Sequence, residues 1–191
     1  MKHCDYGKSS EKYLNAKEVL NKIEMEGCKR FLDAGCGNGF ISIEVAKKLG
    51  KNGEVYAVDI HEPSIKKVRE KIKNLNIKVK AILADITKKI PIEENSVDIY
   101  FMANVLHGIV ANEKTDELMK EINRVLKPKG KLIIVDFRVD KPAGPPENLK
   151  ISEEKCVEIL NSYGFKIENI DKLGKYHYIV TARKLQREGK T

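Results

Sequence analysis

The chain has 191 residues, of which 41% are hydrophobic and 34% are charged, and its 36 Lys and Arg against 28 Asp and Glu give a formal net charge of +8. The length matches one domain of ordinary size, and the apolar fraction is sufficient for a packed core. This composition excludes a collagen and a disulfide scaffold, and the longest apolar runs are too short to cross a bilayer. The positive charge is compatible with nucleic acid or an anionic ligand as partner but carries no information about the fold.

The four cysteines, Cys4, Cys28, Cys36 and Cys156, are scattered without a C-x-x-C pair, which favours reduced thiols and no metal site. No charged-then-apolar leader opens the chain, so we expect a cytoplasmic protein. Gln186 is the single glutamine, tryptophan is absent, and Lys, Glu and Ile are abundant. This bias is typical of heat-adapted proteins, with an AT-rich genome as the alternative explanation.

Short β-branched runs alternate with longer helical patterns along the chain. Strands are predicted at 29–33, 54–59, 78–83, 97–102 and 131–137, and helices at 40–49, 63–75, 115–126 and 152–163. Strands at 165–170 and 176–183 follow, with too few residues between them for a crossover, so they form an antiparallel hairpin. The pattern predicts a doubly wound α/β fold: a mostly parallel seven-stranded sheet, helices on both faces, and an antiparallel C-terminal hairpin.

A glycine-rich turn follows the first predicted strand, where Asp33-Ala-Gly-Cys-Gly-Asn-Gly39 leads into the next helix. Gly35, Gly37 and Gly39 leave the backbone bare on its ligand side and allow the positive φ of a tight turn. In such a sheet, ligands bind outside the carboxyl ends of the strands, where the strand order reverses. The dinucleotide fingerprint would need a third glycine at Phe40, so we expect no nicotinamide cofactor.

An acidic residue, Asp59, ends the second strand 20 positions past Gly39, where its carboxylate can accept hydrogen bonds from two ribose hydroxyls. The pattern Asp33-x-Gly-x-Gly-x-Gly39 resembles the signature of class I S-adenosylmethionine-dependent methyltransferases. The resemblance extends over 29–137 through three further blocks: Leu83-Ala-Asp-Ile86, the segment 97–107, and the helix, turn and strand of 121–136. It implies a Rossmann-like methyltransferase fold and S-adenosylmethionine as cofactor.

The resemblance also assigns the cofactor-binding residues, which are Asp33, Gly35, Cys36, Gly37, Gly39, Asp59, Ile60, Asp85, Ile86 and Asn104. Asp33 and the glycine turn suit the amino-acid end of the cofactor, Asp59 its ribose and Asp85 its adenine. Each of these residues also has a simpler alternative role. The glycines would serve only the turn, and Asp59 would only cap a helix. Asp85 would be a solvated loop acid, and Cys36 would only pack.

Two further residues, His107 and Asp136, are candidate catalytic or substrate-site residues, because they lie at or just after strand ends that face the pocket mouth. Methyl transfer is an in-line displacement that depends mainly on alignment of the reacting atoms. A base is required only where the nucleophile loses a proton, which His107 could accept. Capping of the following segment is the alternative role for this histidine, and no metal is expected.

The segment after the fourth strand and the turn at 124–130 most resemble the type-11 subgroup, which includes quinone-biosynthesis methyltransferases. This implies a small-molecule acceptor. An RNA (tRNA) methyltransferase is the alternative, because lysines are frequent between 66 and 89, although a solvated charged helix face explains them. A non-catalytic methyltransferase-like binding domain is the further alternative.

The whole chain is predicted to be one domain: tail and lid helix at 1–28, cofactor-binding core at 29–137, and substrate loop, helix and hairpin at 138–191. We expect Met1–Lys12 to be a disordered tail and Tyr13–Met25 a helix over the cofactor. The proline-rich loop Arg138–Lys150 suits a stiff substrate wall. For His177, a surface position on the hairpin is favoured over a position in the site.

Overall fold

The computed structural model describes residues 10–186. Seven strands form the sheet, namely β1 Arg30–Ala34, β2 Glu54–Asp59, β3 Val79–Leu83, β4 Val97–Ala103, β5 Leu126–Phe137, β6 Phe165–Leu173 and β7 His177–Lys184. Their spatial order is β3-β2-β1-β4-β5-β7-β6. Strands β1 to β5 are parallel, and β7 pairs antiparallel with both β5 and β6. The predicted fold class, including the antiparallel C-terminal hairpin, is confirmed.

Six α-helices cover the sheet, namely α1 Ala16–Lys22, α2 Phe40–Leu49, α3 Glu62–Ile72, α4 Leu106–Ala111, α5 Thr115–Val125 and α6 Glu153–Ser162. The short helix α4 was not predicted, because six residues without a side-chain cap carry too little periodicity to stand out. Across residues 10–186, no helix combines the length and the apolar character that a membrane crossing requires.

Successive strand residues point to opposite faces of the sheet, and each face has its own core. On the first face, covered by α1, α2 and α3, Phe31 packs with Val45 and Val135. On the second face, covered by α4, α5 and α6, Leu32 packs with Leu118 and other apolar side chains. Because both faces are buried, the segment Leu132–Val135 of the central strand β5 is wholly apolar.

The strand order reverses between β1 and β4, since β1 leads outward to β2 and β3 on one side and β4 leads to β5 on the other. This is the point at which a doubly wound sheet opens a crevice at the carboxyl ends of its strands. The fold therefore places the glycine turn after β1 and the segment after β4 on either side of one crevice.

The N-terminal helix differs from its prediction. Only Ala16–Lys22 is helical, because Asn15 caps it by accepting the backbone N–H of Lys17 at 2.9 Å. Its residues Val19 and Leu20 are buried in the first-face core, so the helix packs beside α2. The turn before it, rather than the helix, reaches the crevice. Residues 1–9 of the predicted tail lie outside the described residues.

A partly buried ion pair explains part of the 121–136 block. Arg124 pairs with Glu121 at 2.5 Å and donates to the carbonyl oxygens of Ile90 at 3.0 Å and Ile92 at 2.8 Å. Glu121 in turn accepts the backbone N–H of Ile90 at 2.8 Å. The pair thus holds the connection between β3 and β4 against α5, which is a structural role.

Candidate active site

A depression opens at the carboxyl ends of β1 and β4, where the strand order reverses. It encloses about 310 Å³, part of it open to solvent. Its lining consists of strand residues Asp33, Phe101 and Ala103, the start of α2 at Phe40 and Ile41, the turn residues Gly35, Cys36, Gly37 and Asn38, and Ser10. Four of the predicted cofactor-binding residues therefore line one cavity.

The carboxylate of Asp33 forms the polar part of the floor. Its side chain is only 3% exposed, and the hydroxyl of Ser42 on α2 donates to it at 2.5 Å. Burial raises the pKa of Asp33 to about 7, and the negative charge of Asp59 acts in the same direction. No cation among residues 10–186 contributes to this shift. A buried carboxylate without a cationic partner is costly, so the site is suited to a positively charged ligand.

The glycine turn has the conformation that the sequence predicted. Gly35, Gly37 and Gly39 have φ values of 73°, 53° and 77°. A Cβ on Gly35 would lie 2.4 Å from a methyl carbon of Val105, and one on Gly39 would lie 2.8 Å from a methyl carbon of Val68. At these two positions glycine is therefore required by contacts within the protein, in addition to any contact with a ligand.

Asp59 ties the glycine turn to the end of β2. Its two carboxylate oxygens accept the backbone N–H groups of Gly37 and His61, each at 2.8 Å. The N-cap of α3 is His61, so the alternative role of Asp59 as the cap is wrong. A carboxylate oxygen can accept more than one hydrogen bond, so Asp59 keeps capacity for ribose hydroxyls.

The predicted adenine acid, Asp85, is held by a local turn. One of its oxygens accepts the backbone N–H of Thr87 at 2.9 Å and its hydroxyl at 2.7 Å. The other oxygen lies 3.9 Å from the Lys88 ammonium. Ile60, at the end of β2, is an exposed apolar side chain, whereas the side chain of Ile86 belongs to the second-face core. Of the two isoleucines, only Ile60 presents an open apolar surface.

Asn104 follows β4 in a left-handed conformation with φ of 60°. Its amide nitrogen donates to the hydroxyl of Ser10 at 3.0 Å, while its side-chain oxygen is buried without a hydrogen-bond partner. Glu11 accepts a hydrogen bond from Asn38 at 2.8 Å. We name residues Ser10–Tyr13 the N-terminal strap. The strap, rather than the predicted lid helix, covers the rim of the depression.

His107 and Asp136 form a buried pair. The imidazole Nδ1 lies 2.8 Å from one carboxylate oxygen, and the backbone N–H of His107 donates to the other at 3.1 Å. The two candidates come from α4 and β5, which are far apart in sequence. Both lie outside the lining of the depression. No cluster of three or more His, Cys, Asp or Glu in the described part of the chain could hold a metal ion.

Aromatic side chains stand beside this pair at the end of β5. The ring centroid of Phe137 lies 4.3 Å from that of His177 and 5.6 Å from that of Tyr13. Tyr13 also contacts Tyr176, at 5.8 Å. His177 is completely buried, so the expected surface position is wrong. The reason is the hairpin register, which sets His177 between Phe137 and Leu173 rather than at the exposed tip.

The family model described as a methyltransferase domain matches residues 26–183. The chain belongs to this methyltransferase family. A solved S-adenosylmethionine-dependent methyltransferase from Aquifex aeolicus has a TM-score of 0.82 and 30% identity, covering 94% of this chain and 95% of that one. A Sulfolobus solfataricus structure, provisionally described as a type 11 methyltransferase, has a TM-score of 0.73 and 28% identity, covering 93% and 96%.

Among curated relatives, the ubiquinone/menaquinone biosynthesis C-methyltransferase UbiE of Chromobacterium violaceum is 34% identical over 117 residues, 61% of this chain and 46% of that protein. The UbiE protein of Cronobacter sakazakii is 26% identical over 174 residues, 88% of this chain and 66% of that protein. The chain thus spans about half the length of the first of these relatives. The predicted membership in the class I S-adenosylmethionine-dependent methyltransferases, of the type-11 kind, is confirmed.

Several residues of this methyltransferase site were missed by the sequence interpretation. Ser42, the partner of Asp33, is a buried polar residue between Ile41 and Ile43, and a serine inside an apolar helix stretch is a signal that could have revealed it. Ser10 carries no such signal, because its place at the rim depends on how the strap folds back. Phe101 was predicted as a strand residue and Ala103 only as part of the segment 97–107, both without a role in the lining.

Proposed function

We propose that this chain transfers the methyl group of S-adenosylmethionine to a small-molecule acceptor. The observation that carries the proposal is Asp33, a buried carboxylate without a cationic partner at the floor of a glycine-rich crevice. A carboxylate in this state favours a ligand that brings its own positive charge. The cofactor has two such groups, an ammonium and a sulfonium, so its charge complements that of the site.

The residues present fit this cofactor. Asp33 and the bare turn at Gly37 would hold its amino-acid end, and the unpartnered oxygen of Asn104 offers an acceptor for an ammonium N–H. Asp59 would bind the ribose, and Asp85 with the exposed Ile60 would contact the adenine. When bound, S-adenosylmethionine supplies an activated methyl group for in-line displacement.

The chain itself aligns the reactants and limits the access of water. The strap covers the rim, and Phe101 and Ala103 give the floor an apolar surface. We assign His107 as the proton acceptor for acceptors that must lose a proton. Asp136 orients the imidazole through Nδ1.

A small-molecule acceptor is supported by the names of the UbiE relatives, which describe quinone biosynthesis. The basic residues do not favour RNA, since several of them are paired: Lys66 with Glu62, Lys80 with Glu54, and Lys88 with Asp85. The cofactor acids and the crevice also argue against a non-catalytic binding domain. Location in the cytoplasm and a heat-adapted source stay proposals based on composition alone.

Calorimetric titration with S-adenosylmethionine and with S-adenosylhomocysteine tests cofactor binding. We expect Asp59→Ala to weaken both affinities at least tenfold, because it removes the ribose acceptor and releases the Gly37 amide. Glu158→Ala is the matched control, since this carboxylate pairs with Lys155 on the exposed side of α6. Equal affinities for wild type and Asp59→Ala would show that the ribose contact is assigned wrongly.

Incubation with methyl-labelled donor and fractionated cell extract tests the acceptor class. Label in the small-molecule fraction supports the proposal, and label in RNA or protein contradicts it. The role of His107 is tested on the labelled compound, by comparing the pH–rate profiles of wild type, His107→Gln and Asp136→Asn. We expect turnover to fall about 100-fold or more in His107→Gln where a proton is lost. Turnover within a few-fold of wild type would remove His107 from the reaction.

A further inference from the structure

His177 is a histidine whose hydrogen-bonding capacity is unused. Its side chain is completely buried, and neither Nδ1 nor Nε2 has a hydrogen-bond partner. Burial lowers the pKa of His177 to about 4, against the opposing influence of Asp136, so the ring is uncharged at neutral pH with one donor and one acceptor. Buried polar groups are nearly always satisfied in native proteins, and an apolar ring would fill this position without an unmet donor and acceptor. The unused hydrogen-bonding capacity of the two ring nitrogens therefore points to a partner that the chain itself does not supply.

The position of His177 relates it to the methyl-transfer site. Asp33 is in register with Phe101, and Phe137 is in register with His177. Because alternate residues of a strand share a face, one continuous row crosses β1, β4, β5 and β7 on the first face of the sheet. Its members are Asp33, Phe101, Ala103, Val135, Phe137 and His177. With neighbouring strands about 4.8 Å apart, the two ends of this row lie three strands, or about 14 Å, apart across the sheet. The row also steps two residues along β4 and two along β5, which at about 3.3 Å per residue adds about 13 Å along the strands. One end is the floor of the depression, and the other is His177.

Aromatic rings enclose the His177 end of the row. Phe137 lies against the imidazole at 37° between ring planes, and Tyr13 of the strap stands edge-on to both Phe137 and Tyr176. The backbone of Gly144 approaches Phe137 so closely that a Cβ there would lie 2.4 Å from its ring. The loop after β5 and the strap thus both pack against Phe137. Apolar rings around one uncharged polar group are suited to a flat ligand with a single hydrogen-bonding substituent.

We propose that His177 is a specificity-determining residue of the acceptor site, where its imidazole pairs with an uncharged hydroxyl or carbonyl group on a planar acceptor ring. The inference rests on the proposed methyl-transfer function. Because Tyr13 covers the rings, the acceptor enters when the strap moves aside. At the rim, Ser10 and Glu11 of the strap accept side-chain hydrogen bonds from Asn104 and Asn38.

Phenol and toluene are matched probes, because they share a ring and differ in the hydroxyl group. Both are titrated into the full chain saturated with S-adenosylhomocysteine, and the ring ¹⁵N resonances of His177 are followed by NMR. We expect phenol to bind at least fivefold more tightly than toluene and to shift these resonances. His177→Phe should abolish the preference for phenol while leaving toluene binding unchanged, and His177→Asn should keep part of the preference. Tyr100→Phe is the control, since it removes an equally buried, unpartnered hydroxyl from the second face of the sheet.

Equal binding of the two probes by wild type, no saturable binding of either, or an unchanged preference in His177→Phe would each overturn the inference. Binding of S-adenosylhomocysteine is measured in the same samples. If the wild type fails to bind it, the proposed function fails. If wild type and His177→Phe bind it equally and the probes are not distinguished, only the role of His177 fails. Should His177→Phe not fold, the His177→Asn titration and the wild-type resonances decide the question.

Discussion

The Asp33→Asn variant removes the ionisable group from the floor of the depression with little change in shape. In the wild type, burial raises the pKa of Asp33 from 3.8 to about 7, so between these values the folded protein binds a proton that the unfolded chain does not. Stability therefore rises as the pH falls, which is the reverse of the usual carboxylate behaviour. Since one pKa unit corresponds to about 1.4 kcal/mol, ionised Asp33 costs the unliganded fold about 4 kcal/mol above pH 7.

The measurable part of this cost lies between about pH 8 and about pH 5.5. Over this range, protonation of Asp33 should raise the free energy of unfolding by about 2 kcal/mol relative to Asp33→Asn, which does not titrate. For a chain of this length, that difference corresponds to about 4–8 °C in Tm. Urea denaturation and thermal melting without cofactor, at matched pH values for both proteins, give the comparison. Parallel pH curves would refute the assignment of a buried, uncompensated carboxylate.

Ionisation of Asp33 should affect cofactor binding in the opposite direction: stability rises as the pH falls, whereas affinity for the cofactor rises as the pH increases. A cationic ligand favours ionised Asp33, so the affinity for S-adenosylmethionine should rise up to about tenfold per pH unit below pH 7 and level off above it. Asp33→Asn should bind more weakly and with a flatter profile. Calorimetric titrations between about pH 5.5 and about pH 7.5 measure this. An equally steep profile in the variant would mean that another group titrates.

Two further substitutions test the packing that supports the site. Gly35→Ala should lower the free energy of unfolding by about 2–4 kcal/mol, because it combines a left-handed φ with the contact to Val105, whereas Gly27→Ala, with a similar φ and open space, should cost only about 1 kcal/mol. Adding Val105→Ala to Gly35→Ala should relieve the steric contact at this position. Equal costs for the two glycine variants would contradict the role of this contact. Glu121→Gln should cost about 2–3 kcal/mol by urea denaturation, below the full value for a buried pair because Arg124 is partly exposed. No loss of stability in Glu121→Gln would show that the pair does not hold the β3–β4 connection.

The alternation of strands and helices was predictable from local patterns. Helix α2 and strand β2 have the predicted bounds, because a glycine precedes each of them, Gly50 follows the helix, and each has a clear apolar period. The hairpin of β6 and β7 followed from the short connection between them. Helix α4 escaped, since it is short and begins without a side-chain cap, and α1 begins later than predicted because its N-capping residue, Asn15, lies later than the apolar pattern suggested.

The residues of the candidate site were predictable only where they belong to a sequence motif. Asp33, Asp59 and the glycines are recognised by their spacing within one βαβ unit, and the fold places them at one crevice. The contact between His107 and Asp136 was not predictable as a pair, because it requires β4 and β5 to be neighbours and α4 to turn back over β5.

The sequence by itself determined the strand ends, the bare turn and the acids beside it, because φ preferences and short-range periodicity act within a few residues. Only the tertiary structure decided what Asp33 and His177 are surrounded by. A side chain's burial and its unmet hydrogen bonds depend on strand register and on segments far away in sequence. That is why Ser42 donates a hydrogen bond to Asp33, and why a histidine expected at the surface lies buried against Phe137.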